Sequence, residues 1–212
     1  MPIAAWATLG VCCGIALTWA SAWLLSAVTQ VSEKTSHGLA KWWYTCGAIL
    51  GGATSSIGSR AESPRDAVLL WLVMALSLVQ SPLDVTLRRL SRPVTLSSLF
   101  IVASILIVDA LVGDSRDAEW SAVLITLLMS SGYALMYILS PRSIGLGDVL
   151  LVLPLALTIA SVNPSAVVTW QLLASSGAAV QGVVARRAVG LSMVPFGPYL
   201  LGAAWLVLAF SV

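Results

Sequence analysis

Charged residues are scarce in this chain: Asp, Glu, Lys and Arg together make up 9% of its 212 residues, against about a quarter in soluble domains. So few charges cannot clothe a solvated surface. With 58% hydrophobic residues and a mean hydropathy of +0.95, the composition is that of an integral membrane protein. Cysteine and histidine are nearly as rare. Cys12 and Cys13 are adjacent, Cys46 stands alone, and the single His37 has no partner at ligand spacing. Neither a CxxC pair nor a His/Cys cluster is available, so no metal is expected. No Gly-rich phosphate loop, GxSxG elbow or Ser/Lys arrangement within the apolar runs is present, and a net charge of +2 marks no nucleic-acid partner. What remains for catalysis is carboxylate chemistry without a cofactor.

The apolar runs are long and show no period-2 alternation. In lipid, where every backbone group must be satisfied internally, this selects helices over a barrel. The breaks predict an all-α polytopic transmembrane bundle with spans at 3–29, 42–59, 66–83, 94–113, 119–140, 148–162, 165–184 and 193–211, eight in number, or seven if one of the weaker segments does not cross. The second is weakened by Gly47, Gly51, Gly52 and Ser55-Ser56, residues that suit close helix packing. Residues 1–212 are expected to form one integral-membrane domain. The first segment is too long, and lacks the basic start, for a secretory signal, so a retained span is expected. Trp6, Trp19, Trp23, Trp42 and Trp43 read as interfacial anchors.

Orientation follows from the basic residues, which are retained on the cytoplasmic side. One set of alternate loops holds Lys34, Lys41, Arg88, Arg89, Arg92, Arg142, Arg186 and Arg187; the other holds only Arg60, Arg65 and Arg116. Both termini are then expected outward. The acidic stretch of Asp109, Asp114, Asp117 and Glu119 falls outside, and Asp84 and Asp148 fall together at the cytoplasmic edge.

An acid near lipid is costly and is a functional-site hypothesis by default. Asp148 ends the string Gly145-Leu146-Gly147-Asp148, shortly after Pro141-Arg142-Ser143, and apolar sequence resumes at Val149. This places it in the first turn of a span, where an isolated aspartate reads as an N-cap and where helix-start amides favour the charged carboxylate. Asp84 follows Pro82, which is expected to break or kink the third span as the chain emerges toward Arg88, Arg89 and Arg92. The plain role for Asp84 is a salt-bridge partner in a basic, lipid-facing loop. The sharper one pairs it with Asp148. Two close carboxylates do not both ionise easily, so one would serve as base toward a water while the other, protonated, polarises a peptide carbonyl.

These residues carry a resemblance. The GxGD string with Val149-Leu150-Leu151, Asp84 with its basic stretch and Pro93-Val94-Thr95-Leu96, and Val194-Pro195-Phe196-Gly197-Pro198-Tyr199-Leu200 resemble, in that order, the bacterial type IV prepilin peptidase family over residues 66–204. The resemblance implies a polytopic aspartic endopeptidase of the prokaryotic inner (plasma) membrane that removes the basic leader of type IV prepilins or pseudopilins at the cytoplasmic face. It also implies Asp84 and Asp148 as the catalytic acids, supported by Gly145 and Gly147. Pro195, Phe196, Gly197 and Pro198 match a signature that is expected to shape the floor of the site. The chain departs from the family pattern at Ser91, where proline is common. It departs again at residues 30–41, a predicted loop of about a dozen residues without the cysteine-rich domain that long members associate with N-methylation. A short, protease-only form is therefore expected. The alternatives are a membrane carrier or scaffold with functional intramembrane acids, and another GxGD intramembrane protease. Membrane lipid is an expected partner; the particular prepilin and the oligomeric state are not encoded legibly. Helix-start amides lean the role of base toward Asp148.

Overall fold

Long apolar runs without strand periodicity fold as the sequence predicts, into helices throughout. The structure is a computed structural model that describes residues 3–29, 33–61, 63–112, 116–140, 144–189 and 195–212, with side chains described for 7–22, 43–61, 63–112, 119–140, 144–187 and 195–212. The side chains of Trp6, Trp23, Glu33, Lys34, His37, Lys41, Trp42, Arg116 and Asp117 lie outside the described residues, as do Asp114, Pro141-Arg142-Ser143 and Val194 entirely.

The elements are α1 (Ile3–Thr29), α2 (Glu33–Gly58), α3 (Pro64–Leu87), α4 (Arg92–Val112), α5 (Arg116–Leu139), α6 (Leu146–Val162), α7 (Ala166–Val189) and α8 (Gly197–Ser211). No strand occurs among the described residues. Four stretches, Pro64–Leu87, Arg92–Val112, Glu119–Leu139 and Ala166–Arg187, are helical, long and apolar enough to cross a membrane. Shorter apolar helical stretches run over Ala7–Ala22, Leu146–Val162 and Gly197–Ser211.

Several boundaries differ from expectation: α7 runs to Val189 rather than 184, and α8 starts at Gly197 rather than 193. Helix α2 starts at Glu33, so most of the predicted loop at 30–41 is helical. Helix α3 does not end at Pro82 but continues to Leu87, which moves Asp84 from an emerging loop into the last helical turn. Proline at 82 leaves the carbonyl of Leu78 without its intrahelical donor. That carbonyl instead accepts the indole N–H of Trp43 on α2 at 3.2 Å, so a neighbouring helix repairs the gap. The same indole approaches Ser21 Oγ of α1 at 3.2 Å. Trp43 is thus a half-buried strut between three helices, whereas Trp19 is exposed.

Helix α6 is the centre of the bundle. It packs against α3, α4, α5, α7 and α8, and Leu151, Val152, Leu155, Ala156 and Ile159 are all fully buried. Between helices in lipid such contact stabilises by van der Waals packing and hydrogen bonding, because lipid tails are as apolar as the side chains. Trp170 of α7 supplies one buried bond, donating its indole N–H to the carbonyl of Leu200 in α8 at 2.8 Å. Helices α1 and α2 form a hairpin whose backbones meet at Gly10 and Gly14 on one side and Gly47 and Gly51 on the other; a Cβ at any of the four would collide with the partner. The hairpin rests against α3.

At one end of the bundle, Arg65 at the start of α3 gathers acids that the sequence suggests belong to an outer loop. Asp109 lies within α4 and Glu119 within α5, and both pair with Nη1 of Arg65, Glu119 at 2.8 Å. Nη2 donates to the carbonyl of Ser161 near the end of α6 at 3.0 Å. One guanidinium therefore ties four helices. Glu119 is only 7% exposed, which makes Arg65 its necessary counter-charge.

Candidate active site

The opposite end of the bundle holds Asp84 and Asp148. Helix α3 ends there, whereas α6 and α8 begin there, so a carboxylate on the last turn of α3 meets a free amide at the start of α8.

Asp84 is 7% exposed, and its Oδ2 accepts the backbone N–H of Gly197 at 3.0 Å. That amide belongs to the first residue of α8, so the Pro-Phe-Gly-Pro segment does more than punctuate the chain. Phe196 is the N-cap of α8, and a Cβ added to Gly197 would lie 2.7 Å from Asp84 Oδ2. Only glycine lets this backbone come so close to the acid. Pro195 and Pro198 flank the contact as half-buried residues.

Asp148 is the third residue of α6, not its N-cap. Gly145 occupies the cap, and Asp148 Oδ2 reaches back to the Gly145 N–H at 3.3 Å, the acidic half of a capping box. Each acid thus receives one glycine amide, and the bond to Asp84 is the shorter and the more buried. Helix-start amides therefore reach both acids, Asp84 from α8 and Asp148 from α6.

The two carboxylates lie within electrostatic reach of one another, with the charge of Asp84 acting on Asp148. Neither forms an ion pair among the described residues. Those residues also contain no group of three or more His, Cys, Asp or Glu side chains able to hold a metal ion. Two interacting carboxylates without a cation partner do not both ionise easily.

Three neighbours complete the site, none of them singled out by the sequence. Leu90, in the loop after α3, sits between the two glycine motifs: its Cβ would be 3.1 Å from a Cβ on Gly147, and its Cδ2 3.3 Å from one on Gly197. Tyr133 of α5 stacks on Phe196 with ring centroids 6.4 Å apart, and the charge of Asp148 acts on it. Its hydroxyl is 2.6 Å from Nε2 of Gln171 on α7, which donates to it. A polar residue in an apolar span is the one signal that could have found Gln171; nothing local marks Leu90.

The structure therefore brings together Asp84, Asp148, Gly145, Gly147, Phe196 and Gly197, from segments far apart in sequence. No family model matches the chain, and no match was found among curated proteins or solved structures.

Proposed function

We propose that this protein is a membrane aspartic endopeptidase of the prepilin peptidase type. It would hydrolyse the bond between a basic leader and an apolar helix in prepilins or pseudopilins at the cytoplasmic face of a prokaryotic inner membrane. The observation that carries this reading is the meeting of Asp84 and Asp148 at one end of the bundle, each held by a glycine amide and neither neutralised by a cation among the described residues. Acids that merely brace helices are better served by a cation, as Asp109 and Glu119 are by Arg65.

In this mechanism the ionised member of the pair takes a proton from a water as that water attacks the peptide carbonyl. The protonated member gives its proton to the carbonyl oxygen, forming a gem-diol; as the C–N bond breaks, the proton taken from the water passes to the leaving amine and the gem-diol returns a proton to the second acid. Cleavage accordingly falls off on both sides of a pH optimum, and the two limbs belong to the pair rather than to either residue.

The topology proposed with it has eight crossings and both termini outward. Its support is the charge distribution: Arg88, Arg89, Arg186 and Arg187 lie toward the end that holds the aspartates, whereas Arg65 at the other end is compensated by acids. Residues 30–41 contain no cysteine, and no methyltransferase activity is proposed. Co-expression with candidate prepilins, scoring leader removal by size, tests the reading. Processing by the parent chain and none by Asp84→Asn or Asp148→Asn supports it; full processing by both variants overturns it.

A further inference from the structure

Between α3 and α4 lies an apolar groove of about 300 Å³, lined by Leu72, Leu76 and Val79 on one side and Pro93, Val94 and Ile101 on the other. From Pro93 to Ile101 it runs along roughly 12 Å of helix, at about 1.5 Å per residue. On α4 the lining begins at Pro93, next to the α3–α4 connection, which carries Arg88, Arg89 and, as the first residue of α4, Arg92. All three arginines are exposed, and none has an ion pair or side-chain hydrogen bond among the described residues. Arg65, which is compensated, shows what this protein does with an arginine whose role is structural.

The connection is fixed rather than loose. Gln80, fully buried in α3, accepts the N–H of Ser91 at 2.9 Å through Oε1, and through Nε2 donates to the Ser91 carbonyl at 3.0 Å and to Thr95 Oγ1 at 2.8 Å. Arg88 caps α3 in the left-handed conformation, φ 51°, with its N–H on the Asp84 carbonyl at 2.9 Å. Proline at position 91 could not donate to Gln80, so the departure from the family pattern at Ser91 belongs to this clamp.

We infer that the α3–α4 groove and Arg88, Arg89 and Arg92 together bind one anionic phospholipid of the surrounding bilayer. An acyl chain would lie in the groove, and the phosphate headgroup would sit on the arginines. Charge complementarity selects the occupant: three uncompensated cations at the membrane edge attract anionic headgroups, and the apolar trough below them suits a chain and not a polar ligand. The same connection carries Leu90 into the cleft between Gly147 and Gly197, so the bound lipid would hold one wall of the candidate active site. The inference rests on the reading of α3 and α4 as membrane spans.

Native mass spectrometry of the full chain in detergent tests it, with phosphatidylglycerol and phosphatidylcholine offered at equal concentration. One phosphatidylglycerol retained with about tenfold preference is expected, given that each arginine near an anionic surface contributes favourably. The triple variant Arg88→Gln, Arg89→Gln, Arg92→Gln should lose the preference. Ser97→Trp, which keeps every charge and fills the groove from its exposed lip, should lose the retained lipid and covers the case in which the triple variant does not fold. Equal retention of the two lipids, or an unchanged preference in either variant, overturns the site; displacement by inorganic phosphate alone overturns the role of the groove. Release of the chain from membranes by a carbonate wash would overturn the membrane reading and the lipid site with it. Retention in the membrane without lipid preference would overturn the lipid site alone.

Discussion

The two ends of the bundle treat their acids in opposite ways. At one end Arg65 compensates Asp109 and Glu119 and reaches the carbonyl of Ser161, so charge is cancelled by charge and four helices are tied together. At the other, the charge of Asp84 acts on Asp148, and the two acids accept the amides of Gly197 and Gly145. A compensated acid is a brace. An acid held by amides keeps its capacity to exchange a proton, because a backbone dipole holds the carboxylate in place without fixing its charge.

Substitutions separate the two ends. The largest effect is expected on cleavage: Asp84→Asn or Asp148→Asn should lower leader removal on the order of 10³-fold or more, the scale of a lost acid/base partner, as read by processing assays, with membrane content unchanged. At the opposite end Arg65→Met should cost about 3–5 kcal/mol of stability, because the buried Glu119 would lose its counter-charge in a low-dielectric setting. Thermal unfolding in detergent measures this. Residual activity per folded molecule should stay near that of the parent, and a specific loss of cleavage there would erase the distinction between brace and site.

Gly197→Ala sharpens the comparison from the site side. The added Cβ would sit 2.7 Å from Asp84 Oδ2, so the carboxylate must shift or lose its amide. A displacement of this size should slow cleavage about 10- to 100-fold with little change in melting temperature. Gln80→Leu should cost about 1–3 kcal/mol by leaving the Ser91 N–H without its acceptor, and unfolding experiments would read it directly. Smallest of all, Gly132→Ala on α5 meets nothing within 4 Å, and its effect on the melting temperature should correspond to about 0.5 kcal/mol or less. A large effect at Gly132 would mean that the exposed face of α5 is covered by something other than lipid.

Much of the helical layout was legible in the chain, because apolar length and breaking residues act locally. Helices α1 and α6 end where the apolar runs end, at Thr29 and Val162. Pro82 misled for an instructive reason. A proline breaks a helix when its orphaned carbonyl has no other donor, and the donor here is Trp43, from another helix. Among candidate site residues, Asp84, Asp148 and the glycines stand out in a nearly uncharged sequence, and the Pro-Phe-Gly-Pro string is visible as punctuation. That its glycine would offer an amide to Asp84, 113 positions away, is not visible. Leu90 was hidden more completely, since a leucine beside arginines looks like any other apolar residue until two Cβ-free positions close around it.

The sequence by itself determined the scarcity of charge, the absence of a Cys/His metal cluster, the helical class and the two acids that stand out against that background. These follow from composition and from periodicity, which short-range physics reads without knowledge of neighbours. Only the tertiary structure decided which acids are compensated, because a counter-charge such as Arg65 is supplied by a different helix. It also decided that the end of α3 meets the starts of α6 and α8, so that free helix-start amides and two carboxylates share one corner. Helix packing makes that choice, through glycines that admit backbone contact and a tryptophan that repairs a proline, and no local stretch of sequence contains it.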